Sequence, residues 1–232
     1  MNRVHCVLLI AASLAALPNA PAAGQEIGSP FRFLDHNMYA GIRAGQLGTG
    51  QGRIGGGPQT GPIIGADWAI QVTGPFMAGV EIAFAPANRT VRDTTFMQAD
   101  SVFTPLGEAD MNLLLAFANL RFNVTGTRTW HSLQPFMVIG LGAAVDLAGA
   151  SELDADVPGN ARFDYGTSFA GQLGAGVEWF PSTRIGVRLD ARNVLWKLEV
   201  PEAFLLTEHG RTLPASEWEQ NYLVSAGISV HF

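Results

Sequence analysis

The chain has 232 residues, 47% of them hydrophobic and only 15% charged, with 14 Lys and Arg against 20 Asp and Glu for a net charge of −6. That balance argues against a nucleic-acid partner, which calls for a basic surface. Beyond the first segment no apolar run approaches the roughly 18 residues of a helical membrane span, so helical spans are excluded and strands in lipid are not.

Residues 1–22 read as a secretory signal peptide. Arg3 supplies the positive start, Val7 to Leu17 the apolar core, and Ala20-Pro21-Ala22 the small-residue cleavage pattern. The single cysteine, Cys6, lies inside this signal without the small-residue context of a lipid-anchored cysteine, so disulfides cannot hold the mature chain together. Cleavage removes Arg3 and no acid, so 14 basic residues become 13 against 20 acidic ones, a net charge of −7. Residues 23–36 show no clear period and read as a short periplasmic lead-in.

From Asn37 onward the chain breaks into segments of alternating polarity, the period-two signature of strands. The first, Met38 to Leu47, sets Ala40, Ile42 and Ala44 against Tyr39, Gly41 and Arg43. A glycine-rich connection, 48–62, leads to Ile63 to Val72, where Ile64, Ala66, Trp68 and Ile70 oppose Gly65, Asp67 and Ala69 before a tight turn at Thr73-Gly74-Pro75. The third strand, Phe76 to Ala85, carries Phe76, Val80 and Ile82 opposite Met77, Gly79 and Glu81. After the connection 86–108, the fourth, Asp110 to Val124, places Leu120, Phe122 and Val124 opposite Asn119, Arg121 and Asn123, with its upper half apolar on both faces. A polar connection, 125–133, precedes the fifth, Gln134 to Leu147. An acidic connection, 148–165, precedes the sixth, Thr167 to Phe180, which turns at Pro181-Ser182-Thr183 into the seventh, Arg184 to Leu198. There Ile185, Val187 and Leu189 oppose Gly186, Arg188, Asp190 and Arg192. The connection 199–220 leads to the last strand, Asn221 to Phe232, whose apolar face, from Tyr222 through Ile228 to Phe232, opposes Leu223, Ser225, Gly227, Ser229 and His231.

Eight strands joined by connections that run long, short, long, short, long, short, long match an outer-membrane barrel, with short periplasmic turns and longer external loops. Each strand reaches the roughly 9–11 residues that a tilted strand needs to cross the hydrocarbon core. A secreted lipocalin-like barrel has as many strands. It does not account for Phe76, Phe122, Trp130, Phe136, Trp179 and Phe232 gathering at the periplasmic ends, where an interfacial girdle belongs.

The stretches NLRFNV, QPFMVIGLGAAVD, QLGAGVEWFPSTRIGVRLDAR and the ending SAGISVHF resemble the eight-stranded outer-membrane β-barrel domain family that includes the transmembrane domain of outer-membrane protein A. The resemblance spans about Asn37 to Phe232. It implies an all-β, closed, antiparallel up-and-down transmembrane barrel in the cell outer membrane. It also implies that Ser225, Gly227, Val230 and Phe232 form the terminal signal read by the barrel assembly machinery. No peptidoglycan-binding segment follows Phe232, so cell-wall tethering is not among the expectations.

Depth counted from each periplasmic turn brings Arg43, Asp67, Glu81, Asn119, Arg121, Arg188 and Asp190 to one level of the lumen. An eight-stranded barrel is just wide enough to be filled by side chains, so these groups are expected to form an ion network that plugs it; the functional reading of the same cluster is an ion path or proton relay. No catalytic residue, metal site or cofactor is expected. Ser229 and His231 lie two apart on one face, like the pair of lipid A-modifying barrels, but on the lumen side and at the periplasmic end, the wrong face and leaflet for that chemistry. His131 falls in a turn and His209 in an external loop beside Glu208, with no second ligand at metal spacing. The loop stretches Thr94 to Leu106 and Phe204 to Trp218 mix apolar and polar residues, as a recognition surface would. Arg89, Arg92, Arg162 and Arg211 are candidates to meet lipopolysaccharide phosphates. Expected partners are outer-membrane lipid and lipopolysaccharide together with the assembly machinery, and the expected role is structural or surface-binding. The alternative is a narrow channel for small hydrophobic molecules.

Overall fold

The computed structural model describes residues 29–53, 55–93, 104–163, 165–205 and 214–232; the expected signal peptide lies outside them. Among these residues ten strands form: β1 (Phe31–Phe33), β2 (Met38–Gly48), β3 (Gly61–Thr73), β4 (Phe76–Asp93), β5 (Thr104–Asn123), β6 (Arg128–Trp130), β7 (Leu133–Asp146), β8 (Thr167–Trp179), β9 (Ile185–Glu199) and β10 (Ser216–His231). Eight of them, β2 to β5 and β7 to β10, pair antiparallel in chain order, and β10 returns to β2 from Tyr222↔Gly48 to His231↔Tyr39. The wall therefore closes on itself. Hydrocarbon demands this, because each backbone group left unpaired there costs several kcal/mol.

Alternation decides which residues face where. In β9, Gly186, Arg188, Asp190 and Arg192 are buried while Ile185, Val187 and Leu189 are exposed on the outer wall. The same outer face carries Ile42 at 68% exposure, Leu141 at 61% and Leu173 at 57%. Continuous apolar exposure of this kind is what acyl chains solvate and water does not. The band ends below near Phe76, Phe122, Trp179 and Phe232, and above near Tyr222. Phe136, expected in the lower girdle, instead lies inside the lumen at 2% exposure, on the same parity as Val138.

Three strands run further than their alternation in lipid suggests. β4 continues to Asp93 and β5 begins at Thr104, paired from Phe76↔Phe122 to Asp93↔Thr104, so most of the expected connection 86–108 is a protruding hairpin. β10 likewise starts at Ser216, inside the expected connection 199–220. The reason is an inversion of polarity at the outer rim. Above it Asn88, Glu108 and Asp110 face outward, while Ala85, Val91, Ala109, Met111 and Leu113 are buried inward. The connection 148–165 holds one helical turn, α1 (Glu152–Ala155), capped by Ser151 and Asp154 in a reciprocal capping box.

The lead-in is not loose either. β1 pairs with β6 through Phe31↔Trp130, Arg32↔Thr129 and Phe33↔Arg128, and β6 joins β7 at Trp130↔Leu133. The turn between β6 and β7 uses His131 and Ser132 at φ of 49° and 65°, the left-handed pair of a tight hairpin.

Candidate functional site

The lumen divides into three levels. At the periplasmic end, fully buried Glu178 receives Arg121 at 2.5 Å and the Ser229 hydroxyl, and lies 3.0 Å from His231 Nε2. Arg121 stacks over Phe136 at 4.0 Å and donates to Asn123 at 2.8 Å. One step up, Arg188 holds Asp67 through two bonds, at 2.9 and 2.5 Å, and donates to the Tyr39 hydroxyl at 3.3 Å. At mid-barrel, Glu81 is gripped by Arg43 and by Arg192 at 2.5 Å, and accepts from Asn119 at 3.1 Å. Arg192 also binds Asp190 at 2.7 Å, and Asp190 accepts from Ser225 at 3.1 Å and lies 3.9 Å from both Arg43 and Arg188.

All seven residues expected in the network thus lie in the lumen, but not as one level. Arg43, Glu81, Asn119 and Asp190 meet at mid-barrel, Asp67 and Arg188 pair below them, and Arg121 pairs lower still with Glu178. Arg192, Glu178 and Gln172 were missed, although alternation places each on the lumen face. Gln172 donates to Asn119 at 2.7 Å, completing the mid-barrel ring. With them the charges balance, Arg43, Arg121, Arg188 and Arg192 against Asp67, Glu81, Glu178 and Asp190. The space left among Tyr39, Asp67, Arg121, Phe136 and their neighbours is about 10 Å³, near the threshold for a single water. Lumen glycines make this density possible: a Cβ on Gly140 would collide with Asn119, and one on Gly186 with Glu178 and Ser229.

Above the charges the lumen becomes apolar. Leu47, Ile63, Leu115, Phe117, Val194, Trp196 and Leu223 form one buried cluster, reached from above by Tyr165 and Phe163. A second cluster of Val91, Ala109, Val157, Ala161, Val200 and Phe204 roofs the mouth. Arg89 is buried there and clamps Asp154 of α1, with one bond at 3.0 Å. Burial opposes ionisation of Asp154, but the bonds from Arg89 and Ser151 outweigh it and hold the carboxyl below its usual range. Burial pushes Glu219 up to about 7, despite the bond it accepts from the Trp196 indole at 2.9 Å.

This geometry corrects one of the arginine assignments, that of Arg89. Arg89 is an internal tie, and Arg162 donates to the carbonyls of Val157 and Ala155 at 2.9 and 3.1 Å. Arg92 donates to the Gly55 carbonyl at 3.3 Å. Arg211, His209, the signal peptide and most of the stretch Thr94 to Leu106 lie outside the described residues. Ser229 and Glu178 both meet the same ring nitrogen of His231, at 3.1 and 3.0 Å. A nucleophile relay instead uses the two ring nitrogens separately. Of the terminal signal, Val230 and Phe232 face outward at 52% and 53% exposure, Ser225 holds Asp190, and Gly227 leaves the room that Arg43 occupies.

No protein-family model and no curated protein matches the chain. Among solved structures it is similar to the Neisserial surface protein A (NspA), with 12% identity over 88% of this chain and 98% of that one and a TM-score of 0.49. It is similar also to OprG of Pseudomonas aeruginosa, with 14% identity over 87% and 99% and a TM-score of 0.49. A third is the N-terminal β-barrel domain of OprF from the same organism, with 9% identity over 85% and 98% and a TM-score of 0.45. The assignment of the fold rests on this chain's own strand pairing and on its apolar outer wall.

Proposed function

We propose that this chain, an eight-stranded β-barrel of the cell outer membrane, serves as a structural or surface-binding protein whose lumen is plugged. The observation that carries the reading is the clamp on Glu81, a carboxylate 2% exposed and held between Arg43 of β2 and Arg192 of β9, with Arg192 bonded onward to Asp190. Glu178, Asp67, Glu81 and Asp190 are each engaged by a guanidinium, so a passing cation meets no free carboxylate, and the apolar packing above them offers it no solvation. What such a barrel presents to its surroundings is its wall and its external connections. The wall takes outer-membrane lipid and lipopolysaccharide as partners, and the last strand, with Ser225, Gly227, Val230 and Phe232, is offered to the barrel assembly machinery.

Planar-bilayer recordings of the refolded mature protein, beside Arg43→Ala and Glu81→Ala, test this. A silent or nearly silent wild type with small conductances in the variants supports the plug; steady wild-type conductance untouched by either substitution overturns it. The apolar upper lumen favours a second reading, a narrow passage for small hydrophobic molecules from the mouth through the wall. It requires Phe204, Phe163 and Tyr165 to leave the mouth, so uptake of an apolar fluorophore that ceases when the mouth is cross-linked would support it.

A further inference from the structure

The β1–β6 ribbon occupies the position that β5 and β4 vacate below their turns, and so prolongs the wall on one side of the barrel only. Its orientation is fixed by what faces inward. Thr129 is fully buried, its hydroxyl donates to the Arg32 carbonyl at 3.4 Å, and Arg32 reaches under the barrel to donate to the Phe180 carbonyl at 3.2 Å. Period-two alternation then turns Phe31, Phe33, Arg128 and Trp130 outward. Trp130 sits beside Leu133, which pairs on its other side with Trp179 of the barrel wall. The outward face is aromatic and exposed, with Phe31 at 45%, Phe33 at 57% and Trp130 at 49%, and the Arg128 guanidinium lies over the Phe33 ring at 4.2 Å. Among the described residues no carboxylate pairs with Arg128.

We infer that this ribbon is a second membrane-interface anchor, seating anionic phospholipid headgroups of the periplasmic leaflet against Phe31, Phe33, Trp130 and Arg128. The surface is continuous with the lipid-facing wall through Trp179, at the height where the hydrocarbon gives way to headgroups. Rings that are apolar in body and polarisable at the face suit that zone. A guanidinium without a carboxylate supplies the charge complement for a phosphate. Two three-residue strands are too small for a specific protein interface, which takes roughly 800 Å² from each partner, but they match the footprint of one or two lipid headgroups.

The test uses the refolded mature protein in vesicles of phosphatidylethanolamine and phosphatidylglycerol, with Trp68, Trp179, Trp196 and Trp218 replaced by Phe so that Trp130 reports alone. Trp130 fluorescence should be quenched by lipids brominated near the headgroup and shielded from aqueous acrylamide. Replacing phosphatidylglycerol by phosphatidylcholine should weaken that shielding in the wild-type ribbon and leave it unchanged in Arg128→Gln. Open access of acrylamide to Trp130 with indifference to brominated lipid overturns the inference, as does an Arg128→Gln response to lipid charge equal to that of the parent. A companion variant retaining only Trp68 at mid-wall separates the two levels of the account. Trp68 is read with lipid brominated at mid-chain: if it escapes that quencher, the barrel itself is not inserted; if Trp68 is quenched there while Trp130 escapes the headgroup quencher, the ribbon alone is misassigned.

Discussion

Replacing Glu81 by Gln removes the charge that both Arg43 and Arg192 use. Arg192 keeps Asp190 at 2.7 Å, but Arg43 is left with Asp190 only at 3.9 Å. The lumen, balanced at four charges of each sign among the described residues, then carries one uncompensated buried guanidinium. Breaking a buried pair by removing one partner costs about 3–5 kcal/mol, a large fraction of the roughly 5–15 kcal/mol that holds an ordinary domain together. Removing Arg43 as well restores the balance, so Glu81→Gln with Arg43→Met should recover stability, with a coupling of about 1–3 kcal/mol. Arg121→Met, which pairs with Glu178 instead, should give Glu81→Gln no such rescue. Urea unfolding of the refolded barrel in vesicles, followed by tryptophan fluorescence and by heat-modifiable gel mobility, measures the three single variants Glu81→Gln, Arg43→Met and Arg121→Met and the two doubles with Glu81→Gln. A loss below about 1 kcal/mol in the single variant, the range of an exposed ion pair, would refute the buried clamp, and equal rescue by Arg43→Met and Arg121→Met would refute its wiring.

Other consequences are independent of this one. Because burial raises Glu219 to about 7 from 4.5, the folded state favours its protonated form. Its contribution is therefore full at low pH and lost as the pH rises to about 7, a difference of about 3 kcal/mol. Unfolding measured from pH 5 to 8 should show that slope in the wild type and lose most of it in Glu219→Gln. Asp154→Asn should release α1 from Arg89 and speed protease cleavage within 148–165 in intact vesicles, consistent with the loss of about 1.5–3 kcal/mol for a bond to a charged group, while leaving the unfolding midpoint of the membrane wall little changed. Gly186→Ala drives a methyl group into Glu178 and Ser229 and should cost about 1–3 kcal/mol as overpacking, measured in the same unfolding assay; an unchanged midpoint would mean that the periplasmic cluster yields freely.

The strands that cross the membrane were legible because period two survives in nearly every one, as in Ile185 to Arg192, where apolar and polar residues strictly alternate. The first pairing with the last followed from closure alone. Beyond the outer rim the same period persists with its sign reversed. Asn88 and Glu108 look like loop residues until Arg89, Val91 and Met111 are seen to face an apolar interior. The upper half of β5, apolar on both faces, is the zone where the two environments overlap, with Leu114 toward lipid and Leu115 toward the lumen core. Arg192 and Glu178 stood on the correct face, but depth counted strand by strand ignores shear, and a network joined across the barrel depends on which strands stand opposite. The pairing of β1 with β6 links three-residue segments far apart in the chain, too short to carry any periodic signal.

The central claim is that the lumen charges are locked to one another and not to water. Nitrogen-15 NMR of the refolded protein labelled at arginine reads this directly, through exchange of the guanidinium protons with solvent. The account predicts slowly exchanging side-chain signals from Arg43, Arg121, Arg188 and Arg192, assigned by single substitution, beside rapid exchange from exposed Arg53. Exchange from those four as fast as from Arg53 would contradict it and leave a hydrated lumen in place of a plug.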